Sequence, residues 1–444
     1  MAQAMQTQIT HATVLKIAVP IMLSNMTEPL IGVVNTSVVG QLPQPELIGG
    51  VAVGAMIFAF LFWGFGFLRL STSGLSAQAL GAGNRELVAQ VLARSFLLGL
   101  GIGAALLILS PIIGPLAINL IGGSEEVKAA AQGYFGWRIF SAPAALANFA
   151  LLGWFVGQGR SVEAFMVQAL LNVTNIILSA LLVLHFHTGI AGVGIAAVIA
   201  EYVGLAFGLF MASRRLAVLG EVVKFKGLFD LATLKPLLAA NVDIMIRTLC
   251  LLFAFGWFTA HGARSGNVII AANAVLLNFF EVTGYMIDGF AYAAEALVGQ
   301  AIGAKDAPRF ARAISLGTLW AMGFGTLAAV ATYVAGPWLI DLMTIEPTIR
   351  ETARLYLPWV ALTPFLGAAC FLFDGVFTGA LATRDMRNMM IAALAIYPPA
   401  SIWLEKHFQN HGLWMGLCVF FIARSVLFAW RLPAIKRRAF AVVR

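Results

Sequence analysis

Several polar residues stand inside runs that are otherwise apolar. Glu281, Asp288 and Glu295 recur every seven residues. On a helix turning about 100° per residue each step drifts only about 20°, so the three share one face. Asn172, Asn175 and Ser179 follow an i, i+3, i+7 spacing, again one helical face. Asn35 interrupts the run Pro29–Gly40, and Glu201 and Asp374 stand alone in apolar surroundings. A carboxyl group in a dry site takes up and gives back a proton or holds a cation, and amides beside it hydrogen-bond either form. Glu281 and Asp288 are placed deepest, and Glu295 reads as a gate or loop anchor. Asp243 and Arg247, four residues apart, read as a self-neutralising pair.

No catalytic constellation accompanies them. Cys250, Cys370 and Cys418 have no metal or redox spacing. His185 and His187 have no further ligand near in sequence, and neither a nucleophile elbow nor a phosphate loop is present. The expectation is no enzyme, no metal and no cofactor.

The elements that position these groups follow from composition. Of the 444 residues 60% are hydrophobic and 11% charged, with a mean hydropathy of +0.89. Such a chain is a polytopic membrane protein. A spanning helix needs about 20 apolar residues. Twelve such runs lie near 15–39, 47–69, 88–111, 130–156, 163–184, 189–212, 234–258, 267–298, 309–337, 352–380, 388–404 and 412–430. The first is longer than a signal segment and is read as a structural helix. The 44 glycines suit close helix contacts in lipid.

The net charge of +8 sits in loops. Alternate loops carry Arg69 and Arg85, Arg160, Arg214 to Lys235, Lys305 to Arg312, Arg384 and Arg387, and a tail from Arg431 to Arg444. The opposite set offers only Lys128, Arg264, Arg350 and Lys406. Positive charge marks the cytoplasmic side, so both termini are expected there. The basic tail reads as an orientation signal beside anionic membrane lipid rather than a nucleic-acid patch.

The chain also repeats at an offset of 222 residues. Gln78-Ala79-Leu80-Gly81-Ala82 recurs as Gln300-Ala301-Ile302-Gly303-Ala304. Tyr134 and Trp137 recur as Tyr356 and Trp359, and Gly153, Phe155 and Gly157 as Gly375, Phe377 and Gly379. Two six-helix bundles of like orientation are expected: residues 1–213 and 234–431, a cytoplasmic linker at 214–233 and a basic tail at 432–444. The polar residues do not repeat, for Asn35 falls opposite Trp257, Asp288 opposite Gly66 and Asp374 opposite Leu152. The two bundles are therefore expected to have different tasks.

The run around Asn35, the Ser71–Gly74 and Gln78–Asn84 segments, Asp288–Gln300, and Asp374-Gly375 with Thr378-Gly379 together resemble the multidrug and toxic compound extrusion (MATE) transporters, DinF branch. The resemblance covers nearly the whole chain. It implies an all-α fold of two six-helix bundles and a proton-coupled antiporter that expels lipophilic, often cationic compounds, working as a monomer in the bacterial inner membrane. It implies that an aspartate, taken as the proton carrier, stands at the position of Asn35, with bending near Pro20 coupled to its protonation. It places a further acid at the position of Ser179 and one at Asp374.

On this resemblance Asn35, Pro20, Asn172, Asn175, Ser179 and Glu201 form the first bundle's pocket. Glu281, Asp288 and Asp374 are the second bundle's cavity acids. Glu28, the remaining acid of the first span, is an alternative titrating group. Asn35 then mimics a protonated aspartate: either coupling has moved to the second bundle, or the aspartate has been replaced deliberately. Two alternatives stay open, a Na⁺-coupled antiporter and a flippase for lipid-linked head groups. The second would want an arginine-rich cavity, whereas the internal charges here are mostly acidic.

Overall fold

The computed structural model describes residues 8–41, 45–223 and 231–441. Within them the chain is helical, with segments α1 His11–Val39, α2 Pro45–Gly64, α3 Phe67–Gly81, α4 Arg85–Ile121, α5 Glu125–Arg138, α6 Ala142–Gly157 and α7 Ser161–Ala180. They continue as α8 Ile190–Leu219, α9 Leu231–Arg264, α10 Asn267–Gly303, α11 Ala307–Met343, α12 Pro347–Gly379, α13 Thr383–Phe408 and α14 Asn410–Ala439. Two of the twelve crossings are each built from two segments. One is α2 with α3, which breaks at Phe65-Gly66; the other is α5 with α6, joined by a 3₁₀ turn at Ile139–Ser141. Among the described residues ten crossings are long and apolar enough to span a bilayer by length and composition. The other two, α1 and α13, are 29 and 26 residues long, also enough to cross one.

The sequence repeat is a repeat of structure. Adding 222 to the bounds of α4 gives those of α11, and adding it to the start of α5 and the end of α6 gives those of α12. The Asn84 side chain caps α4 by accepting from the Leu87 amide at 2.9 Å, and Asp306 caps α11 in the same way from Arg309 at 2.9 Å. Arg85 donates to the Leu219 carbonyl at the end of α8 at 3.2 Å, as Lys305 does to Ala439 at the end of α14 at 3.2 Å. Both place a cation on the negative end of a helix dipole. Close approach needs glycine at the same places: a Cβ at Gly153 or Gly157 would strike the backbone of Arg69 or Ser73. At Gly375 or Gly379 it would strike Ala291 or Glu295, in each case 222 residues further on.

The helices form two compact units, one of residues 23–80 and 84–237, the other including 8–22, 81–83 and 238–441. α1 thus contributes to both. It runs helically through Pro20, and its first half packs on α10, where Gly289 leaves room for Ala18 and Met22. At the other end of the chain, α14 continues through Ala439 into the basic tail. There Arg431 Nε donates to Asp385 Oδ1 at 2.6 Å, and Arg438 pairs with Oδ2 of the same carboxylate.

Candidate functional site: polar groups inside the two units

In the first unit α7 presents Asn172, Asn175 and Ser179 to the interior, and all three are buried. Asn172 donates to the Thr27 hydroxyl of α1 and accepts from Gln168 at 3.0 Å. As the first and fifth crossings, α1 and α7 run in the same direction. Eight residues beyond Thr27 and Asn172 lie Asn35 and Ala180, so at equal rise Asn35 stands level with the Ser179 turn. Asn35 is 8% exposed, and its Oδ1, like Asn175 Oδ1 and Ser179 Oγ, has no hydrogen-bond partner among the described residues. Beyond Ser179 the helix widens into a π turn at Leu181–His185. Glu201 of α8 is half-buried and accepts from Asn148 of α6 at 2.8 Å. Among the described candidate side chains of this unit Glu201 alone is an acid. Pro20 lies half-buried in the part of α1 that packs with the other unit. Glu28 lies outside the residues whose side chains are described.

In the second unit the chemistry is charged. Asp374 of α12 binds two guanidiniums through Oδ2: Arg247 of α9, and Arg424 of α14 at 2.7 Å. Arg424 is fully buried, and its guanidinium carbon lies 5.7 and 5.5 Å from the ring centres of Phe371 and Phe420. Among the described residues its Nε and Nη1 have no hydrogen-bond partner, nor has Asp374 Oδ1. Asp288 lies close enough to Arg424 to act on it electrostatically.

The expected Asp243–Arg247 pair does not form. Asp243 is bound instead by Arg387 at 2.5 Å and by the Thr383 hydroxyl at 3.1 Å, both from α13. Each charge finds its partner on a neighbouring helix, where the pair is shielded from solvent better than along a helix surface.

On α10, Asn278, Glu281, Tyr285, Asp288 and Tyr292 follow one another at spacings of three and four and lie on one side. All five are exposed or half-buried. The opposite sides of α10 are packed, Phe280 on Phe421 and Phe290 on Phe324. Glu295, two turns past Asp288, is fully buried.

The structure therefore gathers the α7 amides near α1, places Glu201 with Asn148, and ties Asp374 into an arginine cluster while Glu281 stays on an open face. Asn148 and Arg424 are absent from the sequence reading, though each has a signal. Asn148 is a lone amide in the apolar run Ala142–Leu152, and Arg424 a lone cation inside the twelfth span.

Two repeated sets of six membrane-crossing helices, each holding polar groups at bilayer depth, define a multi-pass membrane transporter. The MatE family model matches residues 20–181 and 244–403, one stretch in each repeat. The chain is 40% identical to DNA damage-inducible protein F of Escherichia coli over 94% of its own length and 91% of that protein. This chain belongs to the MatE family, and its function is transport rather than catalysis. A "probable multidrug resistance protein NorM" of Thermotoga maritima is 24% identical over 93% of this chain and 90% of that one. The crystal structure of a mutant MATE transporter of Vibrio cholerae superposes with a TM-score of 0.85, covering 96% of this chain and 97% of that one. The two are 20% identical, so Asn35 here belongs to a different protein and is not that mutant's replacement.

Proposed function

We propose that this protein is a proton-coupled antiporter of a bacterial inner membrane, with both termini cytoplasmic, exporting lipophilic and cationic compounds by alternating access of its two repeats. Family membership supports export, and the DNA damage-inducible and multidrug resistance names of its relatives point the same way. The observation that carries the substrate class is the open face of α10. Two carboxylates, two tyrosines and an asparagine on one side of a membrane helix are costly against lipid, at about 2.5 kcal/mol or more for a charged group. They belong against water or a guest, and acids beside aromatic rings suit organic cations.

Asn35 acts as a fixed neutral stand-in for a protonated acid. It keeps the size and hydrogen bonding of a carboxyl group and cannot titrate, so the ion gradient has no handle at this position. Sodium coupling is the second reading, and the oxygens of Asn172, Asn175 and Glu201 are what favour it. Expression in an efflux-deficient bacterium is the test: ethidium accumulation should fall, and an uncoupler should restore it. Restoration by removing sodium while the proton gradient stands would select the sodium reading. Unchanged accumulation of every lipophilic cation tried would refute export of this class.

A further inference from the structure

We propose that Glu281 is the group that trades its proton for the cationic substrate, an assignment that rests on the export reading above. Its setting differs from that of the other acids described in the spans. Asp374 is held by Arg247 and Arg424, and Asp243 by Arg387 and Thr383. Glu201 accepts from Asn148, and Glu405 is 2.6 Å from His261. Asp288 lies in the field of Arg424, and Glu295 is sealed in the core with its backbone against Gly379. Glu281 makes no hydrogen bond or ion pair among the described residues, and its side chain is exposed.

Its depth makes this consequential. Glu281 is four residues from residue 285, the middle of the 37-residue α10, or about 6 Å at 1.5 Å per residue. That is well inside a hydrocarbon core about 30 Å thick. An unpaired carboxylate there is stable only when protonated or when paired with a cation. Neutral Asn278 and Tyr285 flank it on the same face, one turn to either side. Asp288 and Glu295 of its own helix follow about 10 and 21 Å along the axis.

The packed helices bring no free base to its level. Arg247 of α9 and Arg424 of α14 are held by Asp374. On α11 Arg309 and Arg312 lie at one end and Asp341, paired with Arg354, at the other. Lys16 and His11 of α1 precede the Ala18–Met22 contact with Gly289. Since α1 and α10 run in opposite directions, both lie toward the Glu295 end.

The exchange balances simply. With the site open to the cytoplasm, a cation approaches the protonated carboxyl, the O–H bond breaks, and the proton goes to water while its electron pair stays on the carboxylate. Carboxylate and cation then form a neutral pair. Outside, a proton re-forms the O–H bond and the cation leaves. One proton enters for each monovalent cation expelled, and no net charge crosses.

The test is a titration of the purified full chain, in detergent and weak buffer, with tetraphenylphosphonium. The wild type should release close to one proton per cation bound. Glu281→Gln should bind at least tenfold more weakly and release none, Glu281→Asp should keep the release, and Glu351→Gln, at an exposed acid in the first turns of α12, should release as the wild type does. A carbodiimide, which attacks protonated carboxyls, should label Glu281 in the unmodified chain, and tetraphenylphosphonium should protect it. Proton release from Glu281→Gln, absence of the label, or binding to the wild type without release each overturns the assignment and leaves export standing. No binding of lipophilic cations to the wild type at all removes the export reading, and the assignment with it.

Discussion

The two units share a scaffold and differ in what it holds. Matched caps at Asn84 and Asp306, matched glycines at 153 and 375, and matched ties from Arg85 and Lys305 show that packing was duplicated. At bilayer depth the copies part. The first unit is furnished with neutral amides and hydroxyls around Asn35, Asn172, Asn175 and Ser179. The second carries Asp374 between two arginines, and Glu281 on an open face. Helix continuity parts as well. Breaks at Phe65-Gly66 and Ile139–Ser141 and the π turn at Leu181–His185 interrupt the first unit, while α10, α12 and α13 run unbroken in the second. Duplicating a scaffold fixes backbone contacts, which depend on small residues at a few places, and leaves side chains elsewhere free to diverge.

The scaffold half of that comparison breaks most easily. Gly153→Val and Gly375→Val should each abolish folded protein in the membrane, since both side chains would enter a backbone carbonyl. Size-exclusion yield reads this. Survival of one variant and loss of the other would show that the two copies no longer depend on the same contact.

The chemical half is tested by unequal costs. Asp374→Ala leaves the buried Arg424 and the half-buried Arg247 without their carboxylate, a loss of about 3–5 kcal/mol. Asn175→Ala removes a neutral amide, for about 1 kcal/mol or less. Thermal unfolding in detergent should therefore fall much further for Asp374→Ala, and equal shifts would erase the distinction between a charged and a neutral interior.

Asn35→Asp gives α1 an acid level with the α7 amides. Drug resistance in the efflux-deficient host should gain a new pH dependence, and Glu281→Gln combined with Asn35→Asp should recover part of what Glu281→Gln loses. No recovery would mean that the first unit has lost more than its titrating group.

The smallest effect expected is at the N-terminal end of α13. Burial raises the Asp385 pKa, and hydrogen bonds and charge from Arg438 and Arg431 outweigh it, so the pKa lies below the usual carboxylate range. A lowered folded pKa gives stability that is present above the unfolded value of about 3.9 and is lost as pH falls through the folded value. Proteolysis of the tail should be constant from about pH 5 to 8, whereas Asp385→Asn should raise it throughout that range.

Much of the scaffold was legible in the sequence. Hydropathy placed the spans, and the 222-residue offset located the repeat before any contact was known, because both rest on local pattern. The sites were legible less evenly. The α7 amides were readable from helical spacing, and so was the shared face of Glu281 and Asp288. Asp374's two arginines were not, since they come from helices 127 and 50 residues away in sequence. The Asp243–Arg247 spacing suggested a pair that tertiary partners outcompeted. In α1 the chain boundary and the packing boundary also differ, since one helix serves both units and no composition change marks where its contacts switch.

The central claim is that ion exchange resides in the second unit as one proton for one cation. The most direct measurement is tetraphenylphosphonium transport in proteoliposomes, with pH gradient and membrane potential imposed separately by ionophores. The account predicts transport that follows the pH gradient, is unmoved by a potential without one, and disappears in Glu281→Gln. Transport driven by potential alone or by a sodium gradient, or undiminished in Glu281→Gln, would contradict it.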